Sequence, residues 1–230
     1  MPPIGVVGGS SGRGYGLVLR LAAAGEPIVI ASRSLERARA AARAVRERLP
    51  RGVPVEARSV SDTLARCERL VLALPLAGLP DLLRAGRSQL SGKLVIDAML
   101  PLRIVDGHAE VASLPEARSV GEFLQSALPC ARVVSAFKTL PPTLLARLDA
   151  PLDADVPLCG DQAGAVAEVI ALVARIPGLR PVDLGGIAGA RHLEALASLL
   201  VTLGLRHRTE VSVRFTGLDD AVASPGRVVD

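Results

Sequence analysis

The chain has 230 residues, half of them hydrophobic, and a formal charge of +4. That length and apolar content suffice for a full core and suit one large domain, or one domain with a smaller partner. Its positive residues are spread along helical stretches among Glu and Asp, and one Tyr, three Phe and no Trp offer few rings for base stacking, so nucleic acid is not an expected partner.

Residues 4–7 form a short β-branched run that ends in glycines and serines, and residues 15–24 follow with helical spacing and Gly25 as a stop. Residues 27–31 read as a second buried strand. Residues 35–49 read as a helix with Glu and Arg on one side and Ala, Leu and Val on the other. Further strands are expected at 53–57, 69–74, 94–98 and 132–136, with helices or crossovers between them. This alternation predicts an α/β fold on a doubly wound, mainly parallel sheet.

After Lys138 the pattern changes. Pro141, Pro142, Pro151 and Pro157 punctuate a connector before a helix at 164–176 that Asp161 is placed to cap. A strand at 180–184, a glycine-rich turn at 185–189 and an apolar helix at 191–205 complete a smaller C-terminal α/β lobe. The expected organisation is a nucleotide-binding domain at 1–139, a small domain at 140–217 and a loose tail at 218–230. The apolar run at 196–205 is about half a bilayer span, so no membrane helix is expected; the last helix lacks a broad polar face, which allows a homodimer contact. The start runs directly into a strand with no signal-like flank, pointing to the cytoplasm. Cys67, Cys130 and Cys159 are far apart, odd in number and set in apolar segments, which suits buried free thiols and neither a disulfide nor a metal site.

The turn after the first strand reads Gly8-Gly9-Ser10-Ser11-Gly12-Arg13-Gly14-Tyr15-Gly16. A dinucleotide turn needs small residues where the chain bends sharply, where backbone meets pyrophosphate and where helix packs on strand; helix-start amides then face the phosphate charge. Gly9, Ser11 and Gly14 stand at those positions, with Ser11 in place of the usual middle glycine and its hydroxyl able to donate to phosphate. The second strand ends Ser32-Arg33, where an NAD-preferring fold places an acid for the ribose hydroxyls. A hydroxyl and a guanidinium there, with Arg37 one helical turn on, suit a doubly charged 2′-phosphate and hence NADP(H). The alternative is that Arg33 and Arg37 are surface residues paired with Glu36 or Glu47.

Acid–base candidates are few. Tyr15 lies in the turn, His108 in an expected loop, His207 near the chain end, and Lys138 and His192 remain; Lys138 follows a strand end that should face the crevice. This scarcity favours a conjugated-ring hydride acceptor over an alcohol or ketone.

The residues Val7-Gly8-Gly9-Ser10-Ser11-Gly12, Ser32-Arg33, Leu74-Pro75, the run 133–139, the run Val156-Pro157-Leu158-Cys159-Gly160-Asp161 and Gly178-Leu179-Arg180-Pro181-Val182-Asp183 together resemble the NADPH-dependent reductases of coenzyme F420, a deazaflavin. The resemblance runs to about Leu218. It implies a Rossmann-type fold, a cytoplasmic oxidoreductase with NADP(H) and F420 as its small-molecule partners, and reversible hydride transfer from nicotinamide C4 to deazaflavin C5 in a cleft that residues 140–217 complete. By position it implies NADP contacts from Gly8 to Gly14, a 2′-phosphate group of Ser32, Arg33 and Arg37, and a nicotinamide side at Leu74, Pro75, Leu100 and Pro142. No catalytic side chain is implied; Lys138, where the archaeal type has His, is an expected acceptor contact. Reduction of another flavin, of an imine or ketone with Lys138 as acid, and non-catalytic NADP(H) binding are the competing expectations.

Overall fold

The structure is a computed structural model, and it describes residues 1–49, 52–112, 114, 118–149 and 151–218. The expected tail lies outside them from residue 219 onward.

Four buried residues form each of the first two strands, β1 (Ile4–Val7) and β2 (Ile28–Ala31), which explains why neither carries a polar side chain: a parallel strand covered on both faces has no polar side. Between them α1 (Gly12–Ala23) buries Leu17, Val18, Leu19 and Leu21. The second helix, α2 (Leu35–Arg48), is capped by Ser34, whose hydroxyl accepts from the Arg37 amide, and it buries an alanine stripe ending at Val45. Then come β3 (Val55–Arg58), α3 (Val60–Arg66), β4 (Arg69–Leu72), α4 (Leu79–Gly86) and β5 (Leu94–Asp97).

A hairpin that the sequence reading missed follows, β6 (Leu102–Val105) and β7 (His108–Val111), so His108 opens a strand rather than sitting in a loop. Its two-residue turn is Asp106-Gly107, both with positive φ (48° and 80°), as a primed turn demands. The Asp-Gly pair was the available signal. The chain continues through α5 (Val120–Ala127), β8 (Arg132–Ser135), α6 (Pro142–Ala146), β9 (Ala154–Leu158), α7 (Ala163–Ala174), β10 (Leu179–Asp183) and α8 (Ala190–His207). The expected connector after Lys138 thus contains a short helix and a buried strand.

The main sheet has six parallel strands in the order β3-β2-β1-β4-β5-β8. The order reverses beside β1, where Val7 pairs with Ala31 on one side and Leu72 on the other. Such a reversal opens a crevice at the strand C-termini. Strands β9 and β10 pair in parallel, and β9 meets β8 antiparallel through reciprocal Ser135–Cys159 backbone bonds of 2.9 and 3.1 Å. Val156, Leu158, Val169 and Leu179 share one buried cluster with Ile4, Val6, Val134 and Phe137, so the core continues without a break across residue 140. Each such aliphatic side chain contributes roughly 1.5–3 kcal/mol by leaving water.

Two expectations are corrected here. Asp161 does not cap α7, whose N-cap is Gln162 without a side-chain bond; its carboxylate instead accepts from the Ile187 amide at 2.8 Å and ties the turn before α8 to β9. Cys130 is exposed, since it sits in the turn before β8, while Cys67 and Cys159 are buried. No described helix is long and apolar enough to cross a membrane, and no described His, Cys, Asp or Glu cluster could hold a metal ion.

Candidate active site

A cleft of about 850 Å³ lies at the C-terminal ends of β1, β2, β4 and β5. Gly8, Ser10, Ser11, Gly12, Arg13, Ser32, Arg33, Arg37, Leu74, Pro75 and Leu100 all line it, so the structure gathers most of the residues expected from sequence in one place. Val60, Ala77, Leu82, Ala98 and Met99 complete the wall. Ala98 and Met99 were legible as the residues leaving β5 at the crevice edge; Val60, Ala77 and Leu82 carried no signal in sequence.

The turn is built by close backbone contact. Gly8 has φ 89°, and a Cβ on it would lie 2.6 Å from the Ala73 carbonyl. A Cβ on Gly14 would lie 2.2 Å from the Gly8 carbonyl, so α1 can rest on β1 only with glycine there. Gly9 is likewise a packing residue, its missing Cβ 3.0 Å from the Val6 carbonyl and 3.1 Å from Val18. Gly9 and Gly14 therefore shape the turn from behind. Ser11 is the N-cap of α1 in extended conformation, its hydroxyl makes no capping bond, and the first turn of the helix carries no acid. Open helix-start amides and an uncommitted hydroxyl make a cradle for a pyrophosphate.

At the end of β2, Ser32 receives a hydrogen bond from the Ser10 hydroxyl at 3.2 Å, which links the turn to the ribose end of the cleft. Arg33 and Arg37 are exposed, and among the described residues neither pairs with Glu36 or Glu47. Asp81 lines the cleft from α4, where it pairs with Arg84 at 2.8 Å. The end of β2 itself carries no carboxylate and presents hydroxyl and guanidinium groups to the cleft.

Pro142 does not line this cleft. It borders a second cavity, of about 420 Å³, with Leu140, Pro141, Ala197, Leu200, Val201 and Leu205. The reason is the path of α6, which folds down α1 from Pro142: a Cβ on Gly16 would meet Leu145 Cβ at 2.5 Å, and the buried Arg20 guanidinium donates to the carbonyls of Leu144 and Leu145 at 3.1 Å each and to that of Arg147. Arg13 lines both cavities. Its Nη1 donates to the carbonyls of Phe137 and Lys138, each at 2.7 Å, and desolvation by burial lowers its pKa to about 10, so it stays cationic at neutral pH. These bonds hold Phe137 at φ 61°, a left-handed conformation that costs a non-glycine residue about 1–3 kcal/mol.

Lys138 is not a cleft cation. Its side chain is fully buried, and Nζ donates to Met99 O at 2.6 Å, Asp97 Oδ2 at 2.7 Å and Glu194 Oε1 at 3.0 Å. All three ammonium protons are used, so Nζ has none left for an imine or ketone, while Lys138 itself borders the second cavity. His108, His192 and His207 are exposed and border neither cavity, and Tyr15 is half-buried against the core. The carboxylates that do line the cavities, Asp81 and Glu210, are paired with Arg84 and Arg147, and the site suits a transfer that needs placement rather than proton abstraction.

Comparison with known proteins identifies the relatives of this chain. The family model for NADP oxidoreductase, coenzyme F420-dependent, matches residues 3–101. The F420-dependent NADP reductase of Methanocaldococcus jannaschii is 32% identical over 221 residues, covering 94% of this chain and 99% of that one. The enzyme of the same name from Methanothermobacter thermautotrophicus is 32% identical over 224 residues, with coverages of 94% and 96%. A crystal structure from Arthrobacter sp. FB24 that bears the name of an F420-dependent NADP reductase superposes with a TM-score of 0.76 at 27% identity, covering 94% of this chain and all of that one. With a matching family model over its nucleotide half and relatives matched nearly end to end, this chain is an oxidoreductase that belongs to the family of coenzyme F420-dependent NADP reductases.

Proposed function

We propose that this protein transfers a hydride reversibly and directly between NADP(H) and coenzyme F420. When both are bound, nicotinamide C4 gives its hydride to deazaflavin C5, and a proton from solvent completes the reduced ring. The chain's part is to bind, orient and exclude water. Ser10 to Arg13 and the first amides of α1 take the pyrophosphate, Ser32, Arg33 and Arg37 take the 2′-phosphate, and Leu74, Pro75 and the run Ala98 to Leu100 form the apolar end that receives the nicotinamide. The adjoining apolar cavity, lined by Leu140, Pro141, Leu200 and Val201, suits the flat acceptor ring. Orientation of this kind supplies up to roughly 7–11 kcal/mol of a barrier.

One observation carries the reading: a cleft whose β2 end is cationic opens, past Arg13, beside a mainly apolar cavity whose ionisable groups Lys138 and Glu210 are held in ion pairs. The reading of an imine or ketone reductase with Lys138 as acid loses its support, because that ammonium is locked in the core. Mixing the protein with NADPH and F420 is expected to bleach the visible band of the oxidised deazaflavin. Oxidation of NADPH by riboflavin or by a cyclic imine, with no bleaching of F420 across a pH series, would transfer the assignment to another acceptor.

A further inference from the structure

The buried Lys138 cluster is larger than a single ion pair, and it joins a residue of one cavity wall to the helix that lines the other. Asp97 is the last residue of β5. Its Oδ1 accepts from the Met99 amide at 3.1 Å, and its Oδ2 accepts from the Ser135 hydroxyl at 2.7 Å and from Lys138 Nζ at 2.7 Å. Lys138 Nζ also donates to the Met99 carbonyl at 2.6 Å. Both backbone polar groups of Met99 are thus gripped by one ion pair, and Met99 with Ala98 and Leu100 forms the far wall of the nucleotide cleft. The third partner, Glu194, lies on α8; its Oε1 accepts from Lys138 Nζ at 3.0 Å and from the Val120 amide at 2.9 Å. One to two turns further along α8, Ala197, Leu200 and Val201 line the second cavity.

A single ammonium therefore ties the wall beside the nicotinamide to the helix beside the acceptor. From this geometry we infer that Lys138, Asp97 and Glu194 form a positioning unit that fixes the distance between the two walls, and with it the approach of hydride donor to acceptor. The inference rests on the functional reading above for the identity of the acceptor, though not for the grip on Met99. Two carboxylates around one ammonium in a dry core are more than a structural tether requires. Among the described residues Glu194 Oε2 is buried without a hydrogen-bond partner, and burial pushes the Glu194 carboxyl up against the opposing pull of Lys138. A group retained at such a cost, joining two walls of a site, is better accounted for by placement than by stability.

The test compares wild type with Glu194→Ala, Glu194→Gln and Lys138→Met. Glu194→Ala releases α8 but leaves the Lys138–Asp97 pair and its hold on Met99 in place. Glu194→Gln retains an oxygen for Lys138 and Val120. Lys138→Met releases both walls; should it fail to fold, Glu194→Ala carries the test. Three quantities are read: NADP(H) dissociation constant, single-turnover rate of hydride transfer to F420, and fluorescence of bound NADPH. Glu194→Ala is expected to bind NADP(H) within about threefold of wild type, because the phosphate contacts are untouched, and to transfer hydride at least about tenfold more slowly. Glu194→Gln is expected to recover to within about threefold of wild type. In Lys138→Met the emission of bound NADPH should move toward that of free NADPH at unchanged affinity. An unchanged transfer rate in Glu194→Ala, affinity and rate falling together, or a Gln variant no better than Ala would overturn the inference. Wild-type protein that reduces no deazaflavin would refute the functional reading instead, and the NADPH emission of Lys138→Met would still decide whether the cluster sets the nicotinamide wall.

Discussion

Removing the two guanidinium groups at the ribose end should change cofactor choice without changing the fold. Arg33 follows β2 and Arg37 lies in the first turn of α2, both exposed and neither committed to Glu36 or Glu47. The Ser34 cap uses only the Arg37 backbone amide, so alanine at 37 keeps it and is the better helix former. Stability should therefore stay within about 0.5 kcal/mol. A hydrogen bond to a charged group is worth about 1.5–3 kcal/mol, and solvent exposure takes each arginine to the lower end. At about 1.4 kcal/mol per factor of ten, Arg33→Ala with Arg37→Ala should weaken NADPH by about two orders of magnitude. NADH, which lacks the 2′-phosphate, should change by less than about threefold. Titration of bound NADPH and NADH at low and at 0.5 M salt checks this, because the wild-type preference should shrink as the phosphate charge is screened. Equal losses for both nucleotides, or a preference that salt leaves intact, would mean that Ser32 and backbone shape, rather than these charges, select the cofactor.

Gly14→Ala places a methyl group where only 2.2 Å separates it from the Gly8 carbonyl, against backbone that cannot yield cheaply. A loss of about 1–3 kcal/mol, or a melting point lower by roughly 2–12 °C, is expected together with loss of nucleotide binding; a variant that melts and binds like wild type would refute the close-packing account. Native protein should give one reactive thiol, the exposed Cys130, with a thiol reagent, and three after unfolding, because burial pushes Cys159 to about 12 and also raises Cys67. Two or more thiols reacting at the exposed rate would contradict this. Burial raises the Asp155 carboxyl, but the Arg180 bonds at 2.8 Å and the Phe215 amide outweigh it, so its folded pKa is lowered. Its stabilisation is then present above the usual carboxylate range near 3.8 and is lost as pH falls below it. Asp155→Asn should be less stable than wild type at pH 7, and the gap should narrow in acid melts below pH 3.8; a gap constant with pH would remove the charge from the explanation.

The sequence marked the cleft well because its signals are local. A β-branched run, a glycine turn and a helical stripe each impose a geometry within ten residues, and a parallel sheet then brings the ends of β1, β2, β4 and β5 to one edge. Ser32 and Arg33 inherit their place from that edge alone. The turn pattern places Gly9 at the sharp bend and Gly14 where helix packs on strand, and the family resemblance adds both to the cofactor contacts; the fold shows their packing partners, Val6 and Val18 for Gly9 and Gly8 for Gly14. The β9 strand was hidden by Pro157, a residue that discourages a strand reading. Here it sits in a strand paired on one side by β10 and touching β8 only through the bridge at Cys159.

Lys138 and Pro142 lie away from the nucleotide cleft for one shared reason. Sequence periodicity assigns a side chain to a face only while the backbone keeps its period, and Phe137 breaks it with φ 61° just as the chain leaves β8. Past that residue, alternation no longer says whether Lys138 points to the crevice or to the core. Arg13 holds the break from a distance of 124 residues in sequence, by donating to the Phe137 carbonyl. The strained residue lets Lys138 turn inward to Asp97 and Glu194, and it sends Leu140 to Pro142 over the second cavity. The same arginine lines the nucleotide cleft, so one side chain borders both cavities and bonds the bend between them. Loss of Arg13 should on this argument damage acceptor use more than a single lost phosphate contact would, raising the KM for F420 as well as that for NADPH; a variant Arg13→Met that weakened NADPH alone would show that the bend at Phe137 is held by packing and not by the guanidinium.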